Sequence, residues 1–332
     1  MTGISVIIPT YNRLRFLEEA LYSAQTVGHA QIEIIVVDAS APEVASKVQS
    51  ICKSRAIYCW AGRSNLSYQR NVGLKIAKGK YVVFLDSDDT LIPDRFSIQI
   101  PTLERSMADV CYSRWLCIDS RGLRLREDGE DLSRSLIPLL LYSNIAPLGV
   151  FIFRSEAIRA VGGFCTDLRA CEDWDLLVRL AMDNRRFEYV PYVTATYRIH
   201  ELNMSKDRVL MLQSSLHVIK RTFSSTTITS QFTFLEPIAI AMHLAEMLSD
   251  LAAKPLSRSI TTLVENARRD AERLARRTQI PDLVDTYVWE LLAAIREFNG
   301  DSCKSTLRTL RKVLNTWGQS MTQQTGLQNM HK

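Results

Sequence analysis

The sequence predicts an α/β fold: an open, mainly parallel sheet flanked by helices, followed by an all-α C-terminal region. Three observations carry this. Short β-branched runs alternate with segments of helical periodicity through residues 1–92, the pattern of strands joined by crossover helices. The strand-like runs are apolar throughout rather than alternating, as in strands buried on both faces. Beyond residue 205 only helical spacing remains.

The first strand is expected over residues 4–8, closed by Pro9. Leu14, Leu17, Leu21 and Ala24 then predict a helix over 13–26. A second buried strand follows over 32–37, a helix over 41–52 and a short third strand over 56–60. A helix over 65–77, ended by Lys78-Gly79, leads into the central apolar run Tyr81-Val82-Val83-Phe84-Leu85. There the alternation breaks. The sequence next predicts a helix over 93–106, a hairpin of strands 109–118 and 123–126, a helix over 132–142 and a strand over 149–153. Ser155 is placed to cap a helix running to 161, and Gly162-Gly163-Phe164 turns the chain. A helix opens at Glu172, and 187–190 and 193–199 read as two strands.

In open sheets of this kind, ligands collect at the carboxyl ends of the strands. That rule gathers Thr10-Tyr11-Asn12, Asp38-Ala39-Ser40 and Asp86-Ser87-Asp88-Asp89. Three carboxylates in four residues repel one another and are best tolerated around a cation. Hard ions such as Mg²⁺ take oxygen ligands and bridge to substrate phosphates. The same residues also suit an acidic, capping-rich turn. Neither GxGxxG nor GxxxxGK[ST] occurs in this part of the chain, so phosphate charge falls to a metal and to side chains such as Arg70. Asp38 is placed to accept from a base or ribose. Glu172-Asp173-Trp174-Asp175 sits at a helix N-terminus, where the helix dipole favours acids; the functional alternative is a carboxylate general base. His200, by position alone, is more readily structural than a ligand.

Composition sets the class. The chain has 332 residues, 46% apolar and 23% charged, as in soluble globular proteins of two or three domains. Its net charge is +5; residues 1–205 are close to neutral and the remainder is basic. Seven cysteines, odd in number and without a CxxC, suggest reduced thiols in a cytoplasmic protein. No signal-peptide pattern and no clean run of about 20 apolar residues is present, so no membrane span is expected.

Seven motifs in order carry a family resemblance. They are Val6-Ile7-Ile8-Pro9-Thr10-Tyr11-Asn12-Arg13; Val36-Val37-Asp38; Gln69-Arg70-Asn71-Val72-Gly73-Leu74; Gly79 through Asp89; Val161-Gly162-Gly163-Phe164; Glu172-Asp173-Trp174-Asp175-Leu176; and Tyr197-Arg198-Ile199-His200 with Asn203 and Ser205. Over residues 3–205 the chain resembles the family 2 glycosyltransferases, which have the Rossmann-like GT-A fold. The resemblance implies that Pro9, Thr10, Tyr11, Asp38 and Arg70 hold a nucleotide, usually uridine diphosphate. It places Asp86 near ribose and metal, makes Asp88 the principal metal ligand with Asp89 supporting, and offers His200 as a further ligand. Asp173 matches the catalytic base and Glu172 its neighbour in the ED pair. The family's common VDD is Val37-Asp38-Ala39 here, so one supporting acid is missing.

The implied organisation is a domain over 1–205, with a nucleotide-binding half 1–92 and an acceptor half 93–205, then helices over 206–320 and a disordered tail over 321–332. The implied function is metal-dependent inverting transfer of a sugar from a UDP-sugar to an acceptor hydroxyl, with Mn²⁺ or Mg²⁺, in glycan or surface-polysaccharide synthesis. The alternative is a catalytically inactive sugar-nucleotide-binding partner protein. Expected partners are the nucleotide-sugar donor, a glycan, lipid-linked or protein acceptor, and further copies of the chain in a homo-oligomer. In the helical region, with turns near Pro255, Pro281 and Gly300, Arg268, Arg269, Arg273, Arg276 and Arg277 form a basic cluster. It suits either a solvated face or peripheral docking at the inner face of a membrane. It lacks the interleaved aromatics of a nucleic-acid site.

Overall fold

The computed structural model describes residues 3–28, 31–62, 65–133, 136–225, 232–251, 256–297 and 299–325. The chain divides into two compact units, residues 1–133 with 146–203, and residues 134–145 with 204–332.

The first unit opens with β1 (Ile4–Thr10), α1 (Leu17–Thr26), β2 (Ile32–Asp38), α2 (Pro42–Cys52), β3 (Ile57–Trp60), α3 (Leu66–Ile76) and β4 (Tyr81–Phe84). These strands run parallel in the order β3-β2-β1-β4. β1 and β4 are buried along their whole length, which is why their sequences are continuously apolar. Pro9 lies in β1 beyond the last pair with β4, Ile7 with Phe84, so its missing N–H does not interrupt that ladder. α1 starts at Leu17 rather than at residue 13, because Asn12 adopts a left-handed conformation (φ 52°) that breaks the helical path. Asn65 caps α3, accepting from the Tyr68 amide at 2.8 Å. Two glycines let the layers meet. A Cβ on Gly73 would lie 2.4 Å from Ile7 Cγ2, and one on Gly79 would lie 2.6 Å from the Ser5 amide nitrogen.

The second half of this unit holds α4 (Arg95–Ser106), β5 (Val110–Ile118) and β6 (Arg124–Asp128). After an excursion through α5 (Leu136–Tyr142) it resumes with β7 (Ile152–Arg154), α6 (Ser155–Ala160), α7 (Glu172–Met182) and β8 (Phe187–Arg198). β7 joins β4 to β5, antiparallel to both, and β5 and β6 form the expected hairpin. β8 runs parallel to β5. It is one strand, not the two predicted. The β5 partners step from Val190 to Val193, leaving Pro191 and Tyr192 as a bulge, and the proline sits where no ladder bond is needed. Residues 148–150 form a 3₁₀ turn, so the strand expected over 149–153 starts only at Ile152. Ser155 is the first helical residue rather than a cap, and its hydroxyl donates to Gly79 O at 2.5 Å.

The second unit contains α5, shorter than the helix predicted over 132–142, with α8 (Arg208–Phe223), α9 (Leu235–Leu251), α10 (Arg258–Ala275), α11 (Asp282–Arg296) and α12 (Gly300–Thr325). α9 is its core helix, buried at eleven positions including Ile238, Ala241, Leu244 and Leu248. The turn expected near Pro255 lies outside the described residues. α12 reaches Thr325, into the stretch expected as a tail, and residues 326–332 lie outside the described residues. Among the described residues no helix is long and apolar enough to cross a membrane. All seven cysteines are free thiols.

Candidate functional site

β1, β2 and β4 end together, and the acids gathered from sequence converge there. Register pairs Thr10 with Asp38 and Asp38 with Trp60, a lateral row across three strands. Asp38 is fully buried; its Oδ1 accepts from the Ser40 amide at 2.9 Å and its Oδ2 from the Tyr58 hydroxyl at 3.0 Å. Gln69 ties the strand ends, donating to Thr10 O at 2.8 Å and Val37 O at 2.9 Å. The loops are linked as well. The Asn12 amide donates to Ser40 Oγ at 2.8 Å and the Trp60 indole N–H to Ser40 O at 3.2 Å. Tyr11 follows β1 and Trp60 ends β3, the strands on either side of β2, and both residues are about half exposed, at 49% and 56%. Gly62, at φ +63°, turns the chain beneath the indole, where a Cβ would lie 3.4 Å from the ring.

Arg70, on α3, is the centre of the charged part. It is 2% exposed, donates from Nη2 to Asp86 Oδ1 at 2.6 Å and from Nη1 to Glu172 on α7, and leaves its Nε without an acceptor. Burial alone would weaken its charge, but Asp86, Glu172 and Asp173 reverse that and hold it firmly cationic. Burial pushes the Glu172 carboxyl up, while Arg70 draws it down and Asp173 pushes it up further. One guanidinium thus connects the acid at the end of β4 to the acidic first turn of α7. Asp173 is half-buried in that turn, its Oδ1 accepting from the Trp174 amide at 2.8 Å.

Asp88 is held differently. Arg13 pairs with Asp88 Oδ2, and His200 Nε2 lies 3.0 Å from the same oxygen. The His200 Nδ1 accepts from the Leu202 amide at 3.1 Å. A backbone N–H can only donate, so the neutral ring carries its proton on Nε2 and donates to Asp88. The Phe16 ring stacks on the imidazole at 5.5 Å, and Arg13 Nη2 donates to Leu202 O at 2.6 Å.

Asp89, expected as a supporting ligand, is buried, and its Oδ1 accepts from the Arg198 amide at 2.7 Å. Burial, then Asp88 and Asp86, push its carboxyl well up. Arg198 also donates to Asp88 O at 2.8 Å and Glu19 Oε2 at 2.6 Å, clipping the acidic loop to α1.

Three side chains of this site escaped the sequence reading. Arg13 and Arg198 lay within quoted motifs without a role. Trp60 ends the third strand, and the strand-end rule applied to the other strands would have found it.

Among the described residues no group of three or more His, Cys, Asp or Glu is arranged to hold a metal ion. The donor set nevertheless fits a divalent ion with two protein ligands. Asp88 and His200, whose Oδ2 and Nε2 lie 3.0 Å apart, would hold the ion, a hard cation that takes oxygen ligands and commonly bridges to substrate phosphates. Such binding requires Nε2 to give up its proton and Leu202 to release Nδ1.

Residues 5–155 match the family model Glycosyl transferase family 2. An uncharacterized glycosyltransferase of Rickettsia felis is 35% identical over 123 residues, 36% of this chain and 20% of that protein, so the match spans about a fifth of the relative's length. The UDP-Glc:alpha-D-GlcNAc-diphosphoundecaprenol beta-1,3-glucosyltransferase WfaP of Escherichia coli is 26% identical over 222 residues, 66% of this chain and 86% of that protein. Among solved structures, S. aureus TarS 1–349 in complex with UDP has a TM-score of 0.59 at 18% identity, covering 93% of this chain and 91% of that one. Mannosyltransferase PcManGT from Pyrobaculum calidifontis, in complex with GDP-Man and Mn²⁺, has a TM-score of 0.53 at 19% identity, covering 90% and 87%. These structures speak to the fold alone. The sheet order, the strand-end acids and the matched residues together identify residues 5–155 as a glycosyl transferase family 2 region, in a unit with the GT-A fold.

Proposed function

We propose that this protein is an inverting glycosyltransferase that moves a sugar from a UDP-sugar to an acceptor hydroxyl. The observation that carries the reading is Arg70, a buried cation joining the donor-side acid Asp86 to the α7 turn that holds Asp173. Thr10, Tyr11 and Trp60 line the nucleotide, with Asp38 fixing the strand end between them. Arg70 and Arg13 supply positive charge to a diphosphate, and the unpaired Arg70 N–H is a donor suited to a bound anion. Asp173 removes the proton from the acceptor hydroxyl as it attacks the anomeric carbon, and the single displacement inverts that carbon. Asp88 and His200 would hold Mn²⁺ or Mg²⁺, which when bound offsets charge on the leaving diphosphate. Asp86 and Asp89 serve by position, Asp86 orienting Arg70 and Asp89 anchoring Arg198.

A lipid-linked glycan in surface-polysaccharide synthesis is the acceptor we favour, supported by the acceptor in the Escherichia coli relative's name. A cytoplasmic location, at the inner face of the membrane, follows from that acceptor. The test is Asp173→Asn. UDP affinity is expected to stay within about twofold while transfer falls at least about a hundredfold, the scale of losing a general base. Transfer at the wild-type rate contradicts the assignment, and UDP binding without turnover in the wild type would favour an inactive binding partner.

A further inference from the structure

A cleft of about 770 Å³ opens between α4 and β8, at the end of β8 away from Arg198. Ser97, Pro101 and Arg105, four residues apart, form a stripe on its helix side. Glu188 and Tyr192 face it from the strand, and Tyr192 belongs to the two-residue bulge where β8 skips its β5 partners. A bulge re-aims a side chain out of the sheet; here it leaves a tyrosine 54% exposed at the rim. Neither Glu188 nor Arg105 forms an ion pair among the described residues, although both line the same cleft. Nothing in the donor site requires this arrangement.

We propose that the α4–β8 cleft binds an uncharged stretch of the acceptor glycan, with Tyr192 stacking on a sugar ring and Glu188 and Arg105 bonding its hydroxyls. The chemistry selects that ligand. One acid and one guanidinium cancel, which disfavours a phosphate or a polycation. A carboxylate acceptor and guanidinium donors lining one cleft suit vicinal hydroxyls, which both donate and accept. An exposed aromatic face suits the apolar side of a pyranose. The volume lies within the range of ligand clefts. Burial raises the Glu188 carboxyl, with Asp131 adding to the effect, so this acid gains from hydroxyl donors. β8 then leads from the cleft to Arg198 across six residues, at most roughly 20 Å of strand, so a chain held here is kept within reach of the transfer site.

The proposal rests on the glycosyltransferase reading, and its test separates the two. The full-length protein is titrated with neutral hexasaccharides (cello-, malto- and chito-oligomers) and a hexauronate, followed by saturation-transfer NMR, while UDP is titrated by calorimetry. At least one neutral hexasaccharide is expected to bind, the hexauronate more weakly. Tyr192→Ala should weaken the neutral ligand up to about tenfold, the scale of a lost aromatic contact, with UDP affinity unchanged. Glu188→Gln, which keeps the fold and the acceptor oxygen but removes the charge, should weaken it less. Neutral binding indifferent to Tyr192→Ala, or no hexasaccharide bound, overturns the cleft proposal. Failure to bind UDP with glycan binding intact would instead sink the donor reading.

Discussion

Arg70 shows what a single residue contributes. Its guanidinium meets two carboxylates that are 16 and 102 residues away in sequence, so a fork of donors is needed and lysine cannot replace it. Asp38 and Thr10 were legible because strand ends can be read from local pattern. The partner Arg13, 75 residues from Asp88, was not, since no local signal records such a pair, and His200, 112 residues away, was offered only by the family resemblance. Two predictions belong at this scale. Trp60→Ala should weaken UDP about tenfold, in keeping with loss of one base stack, and should abolish UDP-dependent quenching of indole fluorescence. Unchanged affinity would remove Trp60 from the nucleotide site. Asp88→Ala should erase the Mn²⁺ dependence of UDP binding in calorimetry. A variant that binds UDP as tightly as the wild type with Mn²⁺ present would show that Asp88 is no ligand.

At the scale of elements, type was more legible than extent. The parallel strands announced themselves through continuous apolar runs, whereas β8 was split in two because Pro191 looks like a terminator until its edge position is known. The short helix α5 carries no mark in sequence of its partner α9. The structure supplies it: His243 Nε2 donates to Tyr142 O at 3.2 Å, and the Tyr142 hydroxyl lies 3.3 Å from Asn315 Oδ1. Burial holds the His243 imidazole down to about 4, against 6.5 ordinarily. Between those values the unfolded chain binds a proton that the folded unit excludes, so stability falls as pH falls. The contribution of neutral His243 is complete above pH 6.5 and is lost on descent toward pH 4, on the order of 3 kcal/mol. Urea denaturation of the wild type at pH 7.5 and 4.5, compared with His243→Leu, checks this. The variant should show a shallower pH dependence, and an identical slope would contradict the role given to His243.

At the scale of the whole molecule, the sequence showed a sheet-bearing unit before about residue 205 and helices after it. It did not show that residues 134–145 leave the first unit to join the second, because an apolar heptamer suits many cores. Nor did it show the fate of the C-terminal arginines. Arg268 and Arg296 share Glu272, Arg273 pairs with Asp270, Arg269 lies 3.7 Å from Glu265, and Arg276 lies over the Trp289 ring. A basic run in sequence is thus largely matched within its own unit, which weakens the case for membrane docking through that face.

In the proposed reaction the two halves of the first unit act together, the strand ends holding a nucleotide-sugar and α7 presenting the base. The most direct measurement is the configuration of the first product. UDP-sugar with an α-linked diphosphate is supplied with a GlcNAc-diphosphate lipid acceptor and Mn²⁺, and the new linkage is read by proton NMR, in the wild type and in Asp173→Asn. A β-linked product with stoichiometric UDP is expected in the wild type and none in the variant. An α-linked product, or no UDP release from any UDP-sugar, would contradict the proposed reaction.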